Sequence, residues 1–123
     1  MNESAQTESL LTELERAVLE IALAPDTGDN ARLRDQVGAA TVASRTPSGV
    51  GFMTKLAVPE ALALPARTHE DSLPRVIGSH PELPTGAEFI LQVKAGRLNT
   101  IEAFCYEGMW PGDESLFRVQ VGP

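Results

Sequence analysis

The sequence predicts one α+β domain, with two N-terminal helices packed on an antiparallel sheet of five or six strands. Three observations carry this. Residues 9–24 hold apolar side chains at helical spacing, and a second capped segment follows. From residue 41 onward, short β-rich runs alternate with turn residues. The chain has 123 residues, enough to bury a core without disulfides or metal staples.

Residues 1–8 are polar and are expected to fray, leaving residues 9–123 as the domain. In residues 9–24 the stripe reads Leu10, Leu14, Ala17, Val18 and Ile21, with Glu13, Glu15, Arg16 and Glu20 off it. Pro25 and the run Asp26-Thr27-Gly28-Asp29 end that helix. Asp29 or Asn30 is positioned to cap a second, short helix with Leu33, Val37 and Ala40 inward, and Gly38 near its end.

Residues 41–46 and 50–58 read as a hairpin around Thr46-Pro47-Ser48-Gly49, with a three-residue loop and a bulge at Gly49. Residues 59–87 carry five prolines and give the weakest pattern. A helical turn at 61–64 and a short strand at Val76-Ile77 are the elements expected there.

The second hairpin joins 88–93 to 98–106 through Lys94-Ala95-Gly96. Ala95 disfavours positive φ, so the expected turn is type I with Gly96 left-handed. That register pairs Val93 with Arg97, Leu91 with Asn99 and Phe89 with Ile101. One face then holds Phe89, Leu91, Val93, Ile101, Ala103 and Cys105, and is assigned to the core. The other holds Glu88, Ile90, Gln92, Leu98, Thr100, Glu102, Phe104 and Tyr106. After a turn at Trp110-Pro111-Gly112-Asp113, residues 116–121 form a last strand.

The formal net charge is −7, and residues 1–29 hold seven acids against the single base Arg16. A field of that sign repels nucleic acid and anionic membrane surfaces and would speed association with a basic partner, though plain solubility is the preferred account of it. Cys105 is the only cysteine, which excludes an intramolecular disulfide. The chain opens without a signal-peptide pattern, and no run of about 18 apolar residues occurs, so a cytoplasmic location is expected.

The run Gly96-Arg97-Leu98-Asn99-Thr100-Ile101-Glu102-Ala103-Phe104-Cys105-Tyr106, followed by Trp110-Pro111, resembles a signature of small uncharacterised bacterial α+β proteins. Ser79-His80-Pro81-Glu82-Leu83 and Gly86 extend the resemblance over about residues 75–112. It implies no activity. A looser likeness is to cystatin-like or nuclear-transport-factor-like cones, which include both enzymes and binding modules.

Glu102, mid-strand between Ile101 and Ala103, is a candidate general base or acid if its face is covered. Its alternatives are a pair with Arg97, Arg75 or Arg118, or an outlook on solvent. His80 is a candidate partner for it, or a turn residue held extended by Pro81. His69-Glu70-Asp71 lacks the spacing of a metal site, so neither metal nor cofactor is expected. Cys105, without a basic neighbour, reads as a small core residue. Trp110, Phe104 and Tyr106 form the main aromatic group, which reads either as an interface core or, for Trp110, as a ring packed over the hairpin end to close the core.

These features favour a small non-catalytic interaction protein that binds a protein partner or a second copy of itself. Its binding face is Ile90, Gln92, Leu98, Glu102, Phe104, Tyr106 and Trp110. A small-molecule ligand is compatible with the same face. Two other readings stay open. One is an enzyme on a cone-like fold with Glu102 as base and His80 or Tyr106 assisting. The other is an acidic antitoxin-like protein whose helix 9–24 neutralises a basic partner.

Overall fold

A computed structural model describes residues 10–26, 28–65 and 73–122. Helices α1 (Glu13–Ala22) and α2 (Asn30–Ala39) precede the hairpin β1 (Thr41–Pro47) and β2 (Gly51–Ala57). A 3-10 turn (Glu60–Leu62) leads on to β3 (Val76–His80), β4 (Leu83–Lys94) and β5 (Arg97–Cys105). A second 3-10 turn (Glu114–Leu116) precedes β6 (Arg118–Val121). The six strands form one antiparallel sheet in the order β1-β2-β5-β4-β3-β6. This is the expected α+β architecture.

Helix α1 starts at a capping box. Thr12 Oγ1 accepts the Glu15 N–H at 3.0 Å, and a Glu15 carboxylate oxygen accepts the Thr12 N–H at 2.9 Å. The helix is rotated from the expected stripe. Leu11, Leu14, Val18, Leu19 and Ala22 are buried, whereas Leu10 is 74% exposed and Glu15 is fully buried. So many positions between 10 and 23 are apolar that more than one stripe fits them, and the cap chooses between them.

Helix α2 buries Leu33 and Val37, and Ala40 is buried just past its end. The Asp29 side chain does not cap it, while Asn30 Nδ2 donates to the Pro25 carbonyl. Both helices lie on one face of the sheet, where the core row Phe52–Ala103–Phe89–Val76 runs across four strands.

The β1–β2 hairpin differs from expectation in one respect. Three residues, 48–50, connect the strands as expected, but the pairing irregularity falls at Ala43 rather than Gly49. Strand β4 begins five residues earlier than expected, despite Pro84 and Gly86. Its last pair with β5 is Ala87–Cys105, so residues 83–86 bond to β3 alone and a missing N–H is tolerated there.

The β4–β5 turn is the main correction. Ala95 (φ 54°) and Gly96 (φ 77°) are both left-handed, which makes the two-residue type I′ turn. Lys94 pairs with Arg97, Val93 with Leu98, Leu91 with Ile101 and Phe89 with Ala103. Asn99 is the extra residue of a bulge between the Val93–Leu98 and Gln92–Thr100 pairs.

Tertiary contacts hold this turn against Ala95's preference. The Gly96 carbonyl accepts the Leu64 N–H and Gln36 Nε2, each at 2.9 Å. Gln36 Nε2 also donates to Leu62, and Gln36 Oε1 accepts the buried Leu98 N–H at 2.8 Å. A Cβ on Gly96 would come within 2.5 Å of the Leu64 carbonyl oxygen. A left-handed alanine costs about 1–2 kcal/mol, and hydrogen bonds worth about 1 kcal/mol each offset it.

Replacing Gln36 with leucine leaves the buried Leu98 N–H unpaired and is expected to cost about 2–4 kcal/mol in urea unfolding. Ala95→Gly is expected to gain about 1 kcal/mol by relieving the left-handed strain. A Gln36→Leu chain within about 0.5 kcal/mol of wild type contradicts the anchoring role.

Candidate functional site

The two-residue shift in the β4–β5 pairing leaves side-chain parity unchanged beyond the Asn99 bulge. The face opposite the helices therefore carries two central rows. One is Thr46–Met53–Glu102–Ile90, and the other is Gly51–Phe104–Glu88–Ile77. Gly51 has no room for a Cβ, which would fall 1.8 Å from the Ala103 carbonyl oxygen. The β2 and β5 backbones approach closely there, next to Phe104.

On this face Met53 is 40% exposed, Tyr106 is 63% exposed, and Ile90 and Phe104 are half-buried. Phe104 and Tyr106 meet edge to face at 5.4 Å. Arg75 Nη1 donates to Glu88 Oε2 at 3.1 Å, and the Tyr106 hydroxyl is hydrogen-bonded to the same carboxylate. Partial desolvation, then the hydrogen bond and charge of Glu88, push the Tyr106 phenol above its ordinary value, with Arg75 opposing. Thr100 Oγ1 lies 3.4 Å from Gln92 Oε1. Glu102 is exposed and makes no hydrogen bond or ion pair with another described residue. Its outlook is solvent, and it does not pair with Arg97, Arg75 or Arg118.

Two residues assigned to this face from the sequence are elsewhere. Leu98 precedes the bulge, so it points into the core and is buried. Trp110 lies on the helix side. Its ring stacks on Phe117 at 5.0 Å and meets Phe52 and Phe89 edge-on, and its indole N–H donates to Glu114. It therefore closes the core and shares no cluster with Phe104 and Tyr106. Ile90, Gln92, Glu102, Phe104 and Tyr106 remain together.

His80 also belongs to the helix side, packed on Phe117 at 4.8 Å. Its Nδ1 accepts the Glu82 N–H at 3.0 Å, so its Nε2 carries the proton and donates to the Asp113 carbonyl at 2.8 Å. Both ring nitrogens are used, and the sheet separates the ring from Glu102. The pair imagined for acid–base chemistry is not assembled. Cys105 is buried, with its thiol toward the Gly108 carbonyl. His69, Glu70 and Asp71 lie outside the described residues. Among the described residues, no group of three metal-ligating side chains converges, and no helix is long and apolar enough to cross a membrane.

The sequence reading missed a polar cluster under α1. The buried Glu15 carboxylate accepts from Arg45 Nε (3.0 Å), Arg45 Nη2 (2.5 Å) and Thr54 Oγ1 (2.5 Å). The capping pattern Thr12-x-x-Glu15 was the available signal. Burial pushes this carboxyl up, but the bonds from Arg45, Thr54 and the Thr12 backbone outweigh it and hold it below its ordinary value. Glu15 is thereby neutralised inside the protein, so the acidic face of α1 is smaller than its composition suggests. Beside the cluster, Arg45, Pro47, Phe52, Trp110 and Glu114 help to line an open cleft of about 440 Å³. It does not include Glu102 or Tyr106.

Comparison with known proteins finds no matching family model, no similar curated protein and no similar solved structure. Function is therefore argued from this chain's own geometry.

Arg45→Met strands a buried carboxylate and is expected to cost about 3–5 kcal/mol in denaturant unfolding. The pH dependence follows from the lowered Glu15 carboxyl. The unfolded chain takes up the proton first as pH falls, so the cluster's contribution is complete above the ordinary value of 4.5. It is lost as pH drops through the lower folded value. Stability of Glu15→Gln is expected to fall less than that of wild type between about pH 6 and pH 3. Parallel pH profiles contradict this.

Proposed function

We propose that this protein is a non-catalytic interaction module that docks a protein partner on the open face of its sheet. One observation carries the reading: a six-stranded sheet has its helices on one side only, and the other side groups Met53, Ile90, Phe104 and Tyr106 among carboxylates, amides and a guanidinium. Exposed aromatic and methionine side chains with a polar surround have the composition of an interface core and its rim. An antiparallel sheet with a purely solvated face would instead alternate apolar-in with polar-out. The exposed Glu102, lying between Met53 and Ile90 in register, adds directional charge at the centre of that surface.

A photo-reactive side chain placed at position 102 tests the reading in living cells. Position 116 serves as the control, since Leu116 is exposed on the second 3-10 turn, away from the face. Discrete protein cross-links are expected from 102 and not from 116. Equal cross-linking from both positions, or none from 102, overturns the proposal.

A further inference from the structure

We infer that the cleft beside the β4–β5 turn is an anion-binding site whose ligand is a small organic phosphate, held by Lys94, Arg97 and Asn99. This site is independent of the interaction reading above.

The cleft comes from the bulge in β5. The β2–β5 ladder stops at Lys55–Thr100, and Asn99 is the inserted residue just before Thr100. Past that point Leu56 and Ala57 of β2 remain paired with β1, while Arg97 and Leu98 of β5 remain paired with β4. The two strands part, and an open cleft of about 340 Å³ lies there. Leu56, Ala57 and Val58 line it from one side, and Lys94, Arg97 and Asn99 from the other.

Charge points to an anion. Lys94 and Arg97 are the only ionisable side chains among the described residues that line the cleft. Glu60 follows Val58 by two residues, and Glu102 lies two residues past Thr100, but neither lines it. Lys94 and Arg97 are direct cross-strand partners, a position in which like charges are destabilising. Neither forms an ion pair with a described residue. The fold therefore keeps two opposed cations without neutralising them, and an anion between them removes the cost. The rest of this side of the sheet supports the pair. By strand alternation it holds Lys55, Arg75, Lys94, Arg97 and Arg118 against Glu88 and Glu102. The local field is positive, on a chain whose formal charge is −7.

Donors are already in place. Arg97 is half-buried, and its Nη1 donates to the Val58 carbonyl at 3.1 Å. That bond pins the guanidinium across the cleft and uses one of its N–H donors, while the others meet no described acceptor. A planar fork held in this way loses little freedom when it grips an oxyanion. The Asn99 carboxamide, also half-buried, makes no hydrogen bond with a described residue. Lys94 is exposed and adds a point charge on a flexible stem.

The ligand class follows from these groups. Two opposed cations call for two negative charges, and a carboxylate supplies one. A phosphomonoester supplies about −1.5 to −2 at neutral pH, with three acceptor oxygens for the three donor groups. The cleft is larger than a lone phosphate, and Leu56, Ala57, Val58 and Ala95 give it aliphatic walls, so the phosphate carries an organic substituent.

Amide NMR of the full chain tests this in chloride buffer at about pH 7.5, where the phosphate is dianionic. The probes are phenyl phosphate, inorganic phosphate and phenylacetate. Phenyl phosphate is expected to give saturable shifts at residues 56–58 and 94–100. It is expected to bind more tightly than inorganic phosphate and about tenfold more tightly than phenylacetate. Lys94→Gln is expected to weaken phenyl phosphate about tenfold, and Lys94→Arg to stay close to wild type. Arg118→Gln, on the edge strand β6, is expected to change nothing. Unaltered amide positions elsewhere show that each variant is folded. Unsaturable shifts spread over Arg75 and Arg118 as well mean an adventitious ion only and overturn the inference. Phenylacetate or inorganic phosphate binding as tightly as phenyl phosphate overturns it too, as does a Lys94→Gln chain that binds like wild type.

Discussion

The carboxamide of Gln36 reaches two other chain segments at once, bonding Leu62 in one and Gly96 and Leu98 in the other, from a fully buried position on α2. It ties the first helical layer, the chain beyond β2 and the β4–β5 turn into one unit. With the turn held as type I′, an alanine remains left-handed and the extra residue of β5 is taken up at Asn99. Register follows from that, and register decides which side chains leave the core. The residue whose side is decided by this amide, bonded some 60 residues earlier in the chain, is Leu98, which turns inward ahead of the Asn99 bulge; beyond the bulge Glu102, Phe104 and Tyr106 face outward in either register.

The sheet divides its two sides sharply. On the helix side, polar groups are enclosed and satisfied: Glu15 by Arg45 and Thr54, Gln36 by backbone, and His80 through both nitrogens. Each is therefore a specifying element of the fold, with no spare capacity for chemistry. On the other side, polar groups are exposed, and Glu102 is bonded to no described residue. Unsatisfied binding capacity is concentrated where the apolar groups are also exposed, and that coincidence underlies the functional proposal.

Much of this was legible in the residues. The two helices, both hairpins and the core row through Phe89, Leu91 and Ile101 follow from periodicity and turn chemistry. The outer face survived an incorrect turn because the error in pairing was two residues, an even number. Leu98 was lost because the bulge lies beyond it, and no local signal marks Asn99 as the inserted residue. Trp110 and Phe117 approach across a turn, and His80 finds Phe117 from another strand. Such contacts depend on topology that proline-rich residues 59–87 concealed. Arg45 and Glu15 are 30 residues apart, and neither looks unusual within its own segment.

Residue-level oxidation measures occupancy of the open face most directly, because the protein carries its own control. Met53 and Tyr106 belong to that face, while Met109 is 74% exposed in the segment after β5. Moving from the purified protein to intact cells is expected to slow oxidation of Met53 and Tyr106 while Met109 keeps its rate. Face residues that oxidise alongside Met109 in both settings would contradict the account.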